Sequence, residues 1–299
     1  MPFTTSIAKR IGRFIRFGGN VAGPTANVAT LASTSAEPFD IDATRQRVDE
    51  ILGKCAADSL FRCQINGLSM VAPASVLRLY PHCLHPSPAQ HLTYDVESAQ
   101  SRWLCSKLKS GDTAFDVGAA CGLLSLGMSR TVGPTGRVYS FEPSRGTCRT
   151  LQLLITHNAL TNVETVSMAV AGAEGTTEFI EYRANRDLTW APDASTIAMA
   201  VVPHFPHERY TVAVTTIDAF CSAHGTNPRA MKIDIEGFEL DALQGGRATI
   251  ERCRPYLCID IHVDPRTKES TRGAVEAYLA GLGYRTSMQA HALYAEPGK

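Results

Sequence analysis

Residues 113–126 read TAFDVGAACGLLSL. A short run of Thr113, Ala114 and Phe115 ends on Asp116. Small residues follow at Gly118, Ala119, Ala120 and Gly122, and then a Leu-rich segment at helical spacing. That order predicts a strand, a tight turn and a helix N-terminus. Glycine permits backbone that a side chain would obstruct, so a ligand can lie against the turn. The unpaired N–H groups of the helix start then point at it.

The alternation continues outward from this stretch. Upstream, residues 95–108 (DVESAQSRWLCSKL) predict a helix with an acidic start and basic end, delivered into the strand by the turn at 109–112. Downstream, RVYSF at 137–141 is a strand ending at Glu142-Pro143, 148–158 a helix and 163–170 a strand. Residues 176–182 and 210–217 alternate as strands, and 231–235 is a buried-type strand ending in Asp234, Glu236 and Gly237. A helix over 238–252, a strand over 256–262, a helix over 272–282 and a last strand pair within TSMQAHALY complete the chain. Strands alternating with helices through short connections predict an α/β fold, a parallel sheet covered on both faces.

The rest of the chain divides around that unit. Residues 1–38 carry Lys9, Arg10, Arg13 and Arg16 before the first acidic residue, Glu37, and read as a flexible basic segment. IAKRIGRFIRF within it sets Ile7, Ile11 and Phe14 on one helical face, so contact with a membrane surface or an Arg-rich presequence are the other readings. Residues 39–94 read as a helix, running from Asp40 toward Cys63, and a small β region with turn signals at Asn66-Gly67 and Pro73. Residues 95–299 form the main domain, interrupted at 183–209 by a long Pro-containing insertion with Trp190, of the length expected for a lid. His82, Cys83, His85 and His91 stand among Pro81, Pro86 and Pro88 and read as a Pro-rich loop, not a metal site.

Composition bounds the function. Lys and Arg number 29 and Asp and Glu 29, so no global basic field argues for nucleic acid. No apolar run is long enough to cross a bilayer. Nine scattered cysteines with no C-x-x-C pair read as reduced thiols and place the chain in the cytoplasm.

In an open parallel sheet, ligands collect at the carboxyl ends of the strands. Asp116, Glu142, Asp234, Glu236, Asp260 and His262 all fall at such ends. Glu142, about twenty residues past the turn, is placed as an acceptor for two ribose hydroxyls. A nicotinamide cofactor would fit the glycine turn, but G-A-A-C-G lacks the order needed for pyrophosphate. Asp116 repels phosphate and suits a cationic ligand with an amine, such as a sulfonium bearing an amino-acid moiety.

FDVGAACGLLSL resembles the first motif of class I S-adenosylmethionine-dependent methyltransferases, and SFEP their ribose-binding motif. MKIDIEGFELDALQGG followed by RPYLCIDIH is similar to the hallmark of the FkbM family, together with THNALTNV and VTTID. The resemblance runs from Glu97 to Tyr284. It departs at Asp260, where the family often has Glu, and at Cys121, where a polar or larger residue is common.

The resemblance implies a Rossmann-like class I domain with a mostly parallel seven-stranded sheet, and methyl transfer to a hydroxyl of a sugar, polyketide or other small metabolite. It implies that Asp116, Gly118, Ala119 and Gly122 hold the methionine end of S-adenosylmethionine and Glu142 its ribose. Asn158 supports the cofactor or caps its helix, and Met168 and Ala169 lie beside the adenine or pack the core. For the proton of the acceptor hydroxyl, the bases are His262 or Asp234, with Glu236 orienting the acceptor. Lys232, in register with Asp234, pairs with a carboxylate. A bound Mg²⁺ on Asp234 and Asp260 is the alternative route, with no metal the primary expectation. A nicotinamide-dependent oxidoreductase, a non-catalytic binding domain and a nitrogen methyltransferase are the competing functions; a homo-oligomer is compatible with all of them.

Overall fold

The computed structural model describes residues 29–30, 41–55, 59–65, 68–74, 76, 92–182, 196–197 and 207–298. The basic helical face at 7–15, the His82–His91 cluster and Trp190 lie outside the described residues.

The chain begins with β1 (Ala29–Thr30), α1 (Ile41–Leu52), β2 (Leu60–Ile65) and β3 (Leu68–Pro73). The main domain opens with α2 (Leu92–Lys107), β4 (Thr113–Val117), α3 (Leu123–Val132), β5 (Arg137–Phe141), α4 (Arg145–His157) and β6 (Val163–Val166). There follow β7 (Ala169–Val170), β8 (Gly175–Tyr182), β9 (Thr196–Ile197), β10 (His207–Thr215) and α5 (Ile217–His224). The remainder is β11 (Ala230–Ile233), α6 (Glu239–Gly245), α7 (Arg247–Cys253), β12 (Tyr256–Asp260), α8 (Arg272–Gly281), β13 (Tyr284–Gln289) and β14 (Ala292–Pro297).

Seven strands form the central sheet in the order β13-β14-β12-β11-β4-β5-β6. β12, β11, β4, β5 and β6 run parallel, and β14 is antiparallel to both its neighbours. This is the Rossmann-like arrangement of class I methyltransferases. The chain leaves β4 toward β5 and β6, then returns to β11 on its other side, so the strand order reverses between β4 and β11. That reversal opens a crevice at the carboxyl ends of the two strands.

Burial on both faces explains the near-continuous apolar strands. On one face Phe115, Tyr139 and Phe141 pack around Phe220 of α5, with the Phe141 and Phe220 rings 4.7 Å apart. On the other, Ala114, Val138, Ala230 and Cys258 pack under Leu104 of α2 and Met128 of α3. Strand alternation puts Asp116, Ser140 and Lys232 on this second face, where Asp116 is the cross-strand partner of both others.

Several expected bounds shift. The helix from Asp40 ends at Leu52, and a separate hairpin, β2 with β3, follows. Met70, Ala72 and Val76 pack it onto Leu123, Leu126 and Leu154 of the main domain. Ala29 and Thr30, placed by sequence in a flexible segment, pair with Phe61 and Arg62 of β2. The strand expected over 163–170 breaks after Val166, where the Met168 N–H turns back onto the Val166 carbonyl. β7 then joins a second, four-stranded sheet, β7-β10-β8-β9. Within the insertion, β9 pairs with β8 and residues 207–209 already belong to β10. Ile217 starts a helix, because Thr216 caps it by accepting from the Ala219 N–H at 3.0 Å. The helix over 238–252 is two helices, separated at Gly246.

Candidate active site

The turn after β4 lines one side of the crevice. Gly118, Ala120 and Gly122 all have positive φ (75°, 49° and 88°). A Cβ on Gly118 would lie 1.8 Å from the Asp234 carbonyl oxygen, so only glycine lets this turn close onto the end of β11.

Two carboxylates flank the turn. Glu142, at the end of β5, accepts from the Ala120 N–H at 3.0 Å and the Ser144 N–H at 2.8 Å. Burial pushes its carboxyl up to about 7, with both backbone bonds acting the other way. Asp116 is fully buried. Its Oδ2 accepts from Ser125 Oγ, which also contacts Ser140 Oγ, and burial raises its carboxyl while Lys232 opposes the shift. Asp116 Oδ1 has no hydrogen-bond partner among the described residues.

Ala119 is buried within the turn, and Ala169 is buried in β7 opposite Val214. Met168 is half-buried just past β6, whose Val166 carbonyl also accepts from the Glu142 N–H. Asn158 makes its bonds at the end of its helix. It stands at the C-terminus of α4, where its side chain accepts from the Val71 N–H at 2.9 Å and donates to the Val71 and Leu154 carbonyls. Those bonds engage it in docking β3, and α4 meets the crevice with its other end.

The opposite side of the crevice carries Asp234, Glu236 and His262. Lys232, almost wholly buried, donates to the Gly118 carbonyl and to Asp234 Oδ2. Burial works against its charge, but Asp234, Asp116 and Asp260 more than offset that and raise its pKa. Asp234 is lowered: burial opposes, while the charges of Lys232 and His262 prevail. His262 Nε2 lies 3.7 Å from Asp234 Oδ1 and 4.0 Å from Glu236 Oε2. Its Nδ1 meets Glu239 Oε1 at 2.9 Å. Burial would lower the imidazole, yet the Glu239 bond and the charges of Asp234 and Glu236 raise it to about 9.

Asp260 accepts from Gln100 of α2, and burial followed by the charge of Asp234 pushes it up to about 7. The Mg²⁺ route through Asp234 and Asp260 meets an obstacle here: the Lys232 ammonium already supplies positive charge to both carboxyl groups. Asp234, Glu236 and His262 each bring one ligand atom within 4.8 Å of the others, close enough for a cation. However, Lys232 already answers Asp234, and an imidazole raised to about 9 must give up a proton before Nε2 can meet a cation.

Two contributors escaped the sequence reading. Glu239 stands three residues past Glu236, at the start of α6, and is hidden inside the apolar helix pattern of FELDALQGG. Glu181, at the end of β8, is buried and accepts from the Arg145 and Gly146 N–H groups, fastening the second sheet to the start of α4 beside Glu142. Its only sequence signal was an acidic residue on the inward side of an alternating strand.

A family model described as the methyltransferase FkbM domain matches residues 116–286. Among solved structures, a methyltransferase FkbM from Methylobacillus flagellatus KT is 20% identical with a TM-score of 0.45, over 63% of this chain and 44% of that one. This chain thus spans less than half the length of that relative. An rRNA methylase from Streptococcus thermophilus is 11% identical with a TM-score of 0.42, over 68% of this chain and 96% of that one. A Streptococcus mutans protein solved in complex with SAH is 10% identical with a TM-score of 0.41, over 67% of this chain and 97% of that one. No curated protein matches the chain.

Proposed function

Since the chain belongs to the FkbM methyltransferase family, we propose that it moves a methyl group from S-adenosylmethionine to a hydroxyl of a small metabolite. The observation that carries this reading is Asp116 Oδ1, a buried carboxylate oxygen beside a glycine turn with no hydrogen-bond partner among the described residues. An orphaned buried acceptor is costly unless a ligand donates to it. A cationic amino-acid moiety does so, and a phosphate does not.

The residues on the page fit the cofactor. Asp116 and the turn at Gly118, Ala119 and Gly122 receive the amino-acid end. Glu142, fixed by two backbone N–H groups, keeps lone pairs for the ribose hydroxyls. Met168 and Ala169 flank the adenine. When bound, S-adenosylmethionine would supply a sulfonium methyl open to in-line attack by an acceptor oxygen, with S-adenosylhomocysteine as the leaving group.

The chain's own work is alignment and proton removal. Glu236 orients the acceptor hydroxyl. Neutral His262 takes its proton on Nε2, and Asp234, ionised and 3.7 Å away, stabilises the imidazolium. The insertion at 183–209 selects the acceptor. Equal numbers of acidic and basic residues support a small acceptor over nucleic acid. The eight described cysteines are all free, which supports a reducing, cytoplasmic setting. Among the described residues, no helix is long and apolar enough to cross a membrane.

Calorimetry separates this function from a nicotinamide-dependent one. Binding of S-adenosylhomocysteine without binding of NADH supports methyl transfer. NADH binding alone rejects it.

A further inference from the structure

His262 is read above as the base, and on that reading one further residue gains a role. We propose that Glu239 is a positioning residue for methyl transfer: it holds His262 through Nδ1, so that Nε2 is the nitrogen turned toward the acceptor hydroxyl.

Glu239 is the first residue of α6 and has no exposed surface. Its Oε1 accepts from the Gly237 N–H at 2.9 Å and meets His262 Nδ1 at the same distance. Its Oε2 accepts weakly from Thr271 Oγ1 at 3.4 Å. Helix capping accounts for the Gly237 bond alone. It does not require a histidine from a different strand end. Nor does it require a carboxylate buried this deeply, which is costly unless its lone pairs are answered. The second bond has a chemical consequence. A neutral imidazole that donates from Nδ1 carries its lone pair on Nε2, so the partner of one nitrogen sets the role of the other.

The surroundings agree with this assignment. Asp234 and Glu236, both from the end of β11, face Nε2, while Glu239 of α6 faces Nδ1. Asp260, at the end of β12, and His291, beyond β13, also sense the charge on His262. During turnover the acceptor O–H proton passes to Nε2 as the new O–CH₃ bond forms and the S–CH₃ bond breaks. Glu239 and Asp234 then share the imidazolium charge until that proton leaves for solvent.

Ring-nitrogen NMR on the wild-type chain, taken above the titration of His262, reads the tautomer directly. The inference requires a proton on Nδ1. An Nε2–H ring overturns it, and this measurement does not depend on any variant folding. In Glu239→Gln, the His262 midpoint should fall by at least one pH unit from about 9, and the acid limb of kcat should move with it. The value of kcat itself should fall about 100-fold, with S-adenosylhomocysteine affinity within about twofold of wild type. Glu239→Asp should restore part of kcat. An unmoved midpoint and acid limb in a folded Glu239→Gln protein overturn the inference. If instead the Nδ1–H tautomer is found but His262→Gln keeps full kcat, the dyad exists and it is the base assignment that fails.

Discussion

Lys232 Nζ stands 3.0 Å from Asp234 Oδ2, and the same ammonium donates to the Gly118 carbonyl at 2.9 Å. One buried cation therefore joins the acceptor side of the crevice to the turn that receives the cofactor. It also faces the charges of Asp116 and Asp260. Removing one partner of a buried ion pair leaves the other uncompensated, typically at a cost of about 3–5 kcal/mol. Lys232→Met should accordingly lower the urea midpoint more than Glu236→Gln, whose side chain is part-exposed. Equal midpoints would mean that Lys232 does not hold the two sides together.

The cofactor cradle makes a sharper distinction. Asp116→Asn keeps the shape of the buried side chain but removes its charge, and Glu142→Ala removes the acceptor of the ribose hydroxyls. Each should weaken S-adenosylhomocysteine binding by about 10–100-fold, the range of one to two charge-assisted hydrogen bonds. Calorimetry on folded variants reads the effect; unchanged affinity in both would remove the cradle from the account.

Asn158 gives the opposite pattern. Its amide spans β3 and the end of α4, so Asn158→Ala should cost about 1–3 kcal/mol of stability and leave S-adenosylhomocysteine affinity unchanged. A loss of affinity without a loss of stability would return this residue to the cofactor site.

Stability should fall as pH rises from about 5 to 9. The signs run the same way for three groups. Glu142 and Asp260 have folded pKa values raised to about 7, so they favour the folded state below their ordinary carboxyl range, and that support is lost as pH climbs through 7. His262 is raised to about 9; its contribution is complete below its ordinary value near 6.5 and is lost as pH passes 9. Thermal melts from pH 5 to 9 should decline, and Asp260→Asn should flatten the lower part of the decline. Activity runs the other way, because the base must be neutral: kcat should climb with pH until about 9.

The central strands and the ligand turn were legible because each is a local pattern. RVYSF is bounded by a glycine turn and by Glu-Pro, and the structure gives it the same limits, Arg137–Phe141. The glycines of GAACG likewise announce a backbone that side chains would block, and Gly118 meets that description against Asp234. What stayed hidden was non-local. Nothing in TTEFIEY or YTVAVTTI states which sheet it joins, and outside the central sheet β10 pairs with β7 while β8 pairs with β10. Glu239 looked like one polar position in an amphipathic helix, because its partner His262 is brought near only by the neighbouring placement of β11 and β12. Asn158 was ambiguous for a similar reason: the β3 backbone that occupies it lies 87 residues away in the chain.

The most direct check on the whole account is a crystal structure of the protein with S-adenosylhomocysteine. The account predicts the ribose hydroxyls on Glu142 and the amino group donating to Asp116 Oδ1, with the homocysteine sulfur facing His262 and Asp234. Glu142 turned away from the nucleoside, with the turn at Gly118–Gly122 bare of ligand, would contradict it.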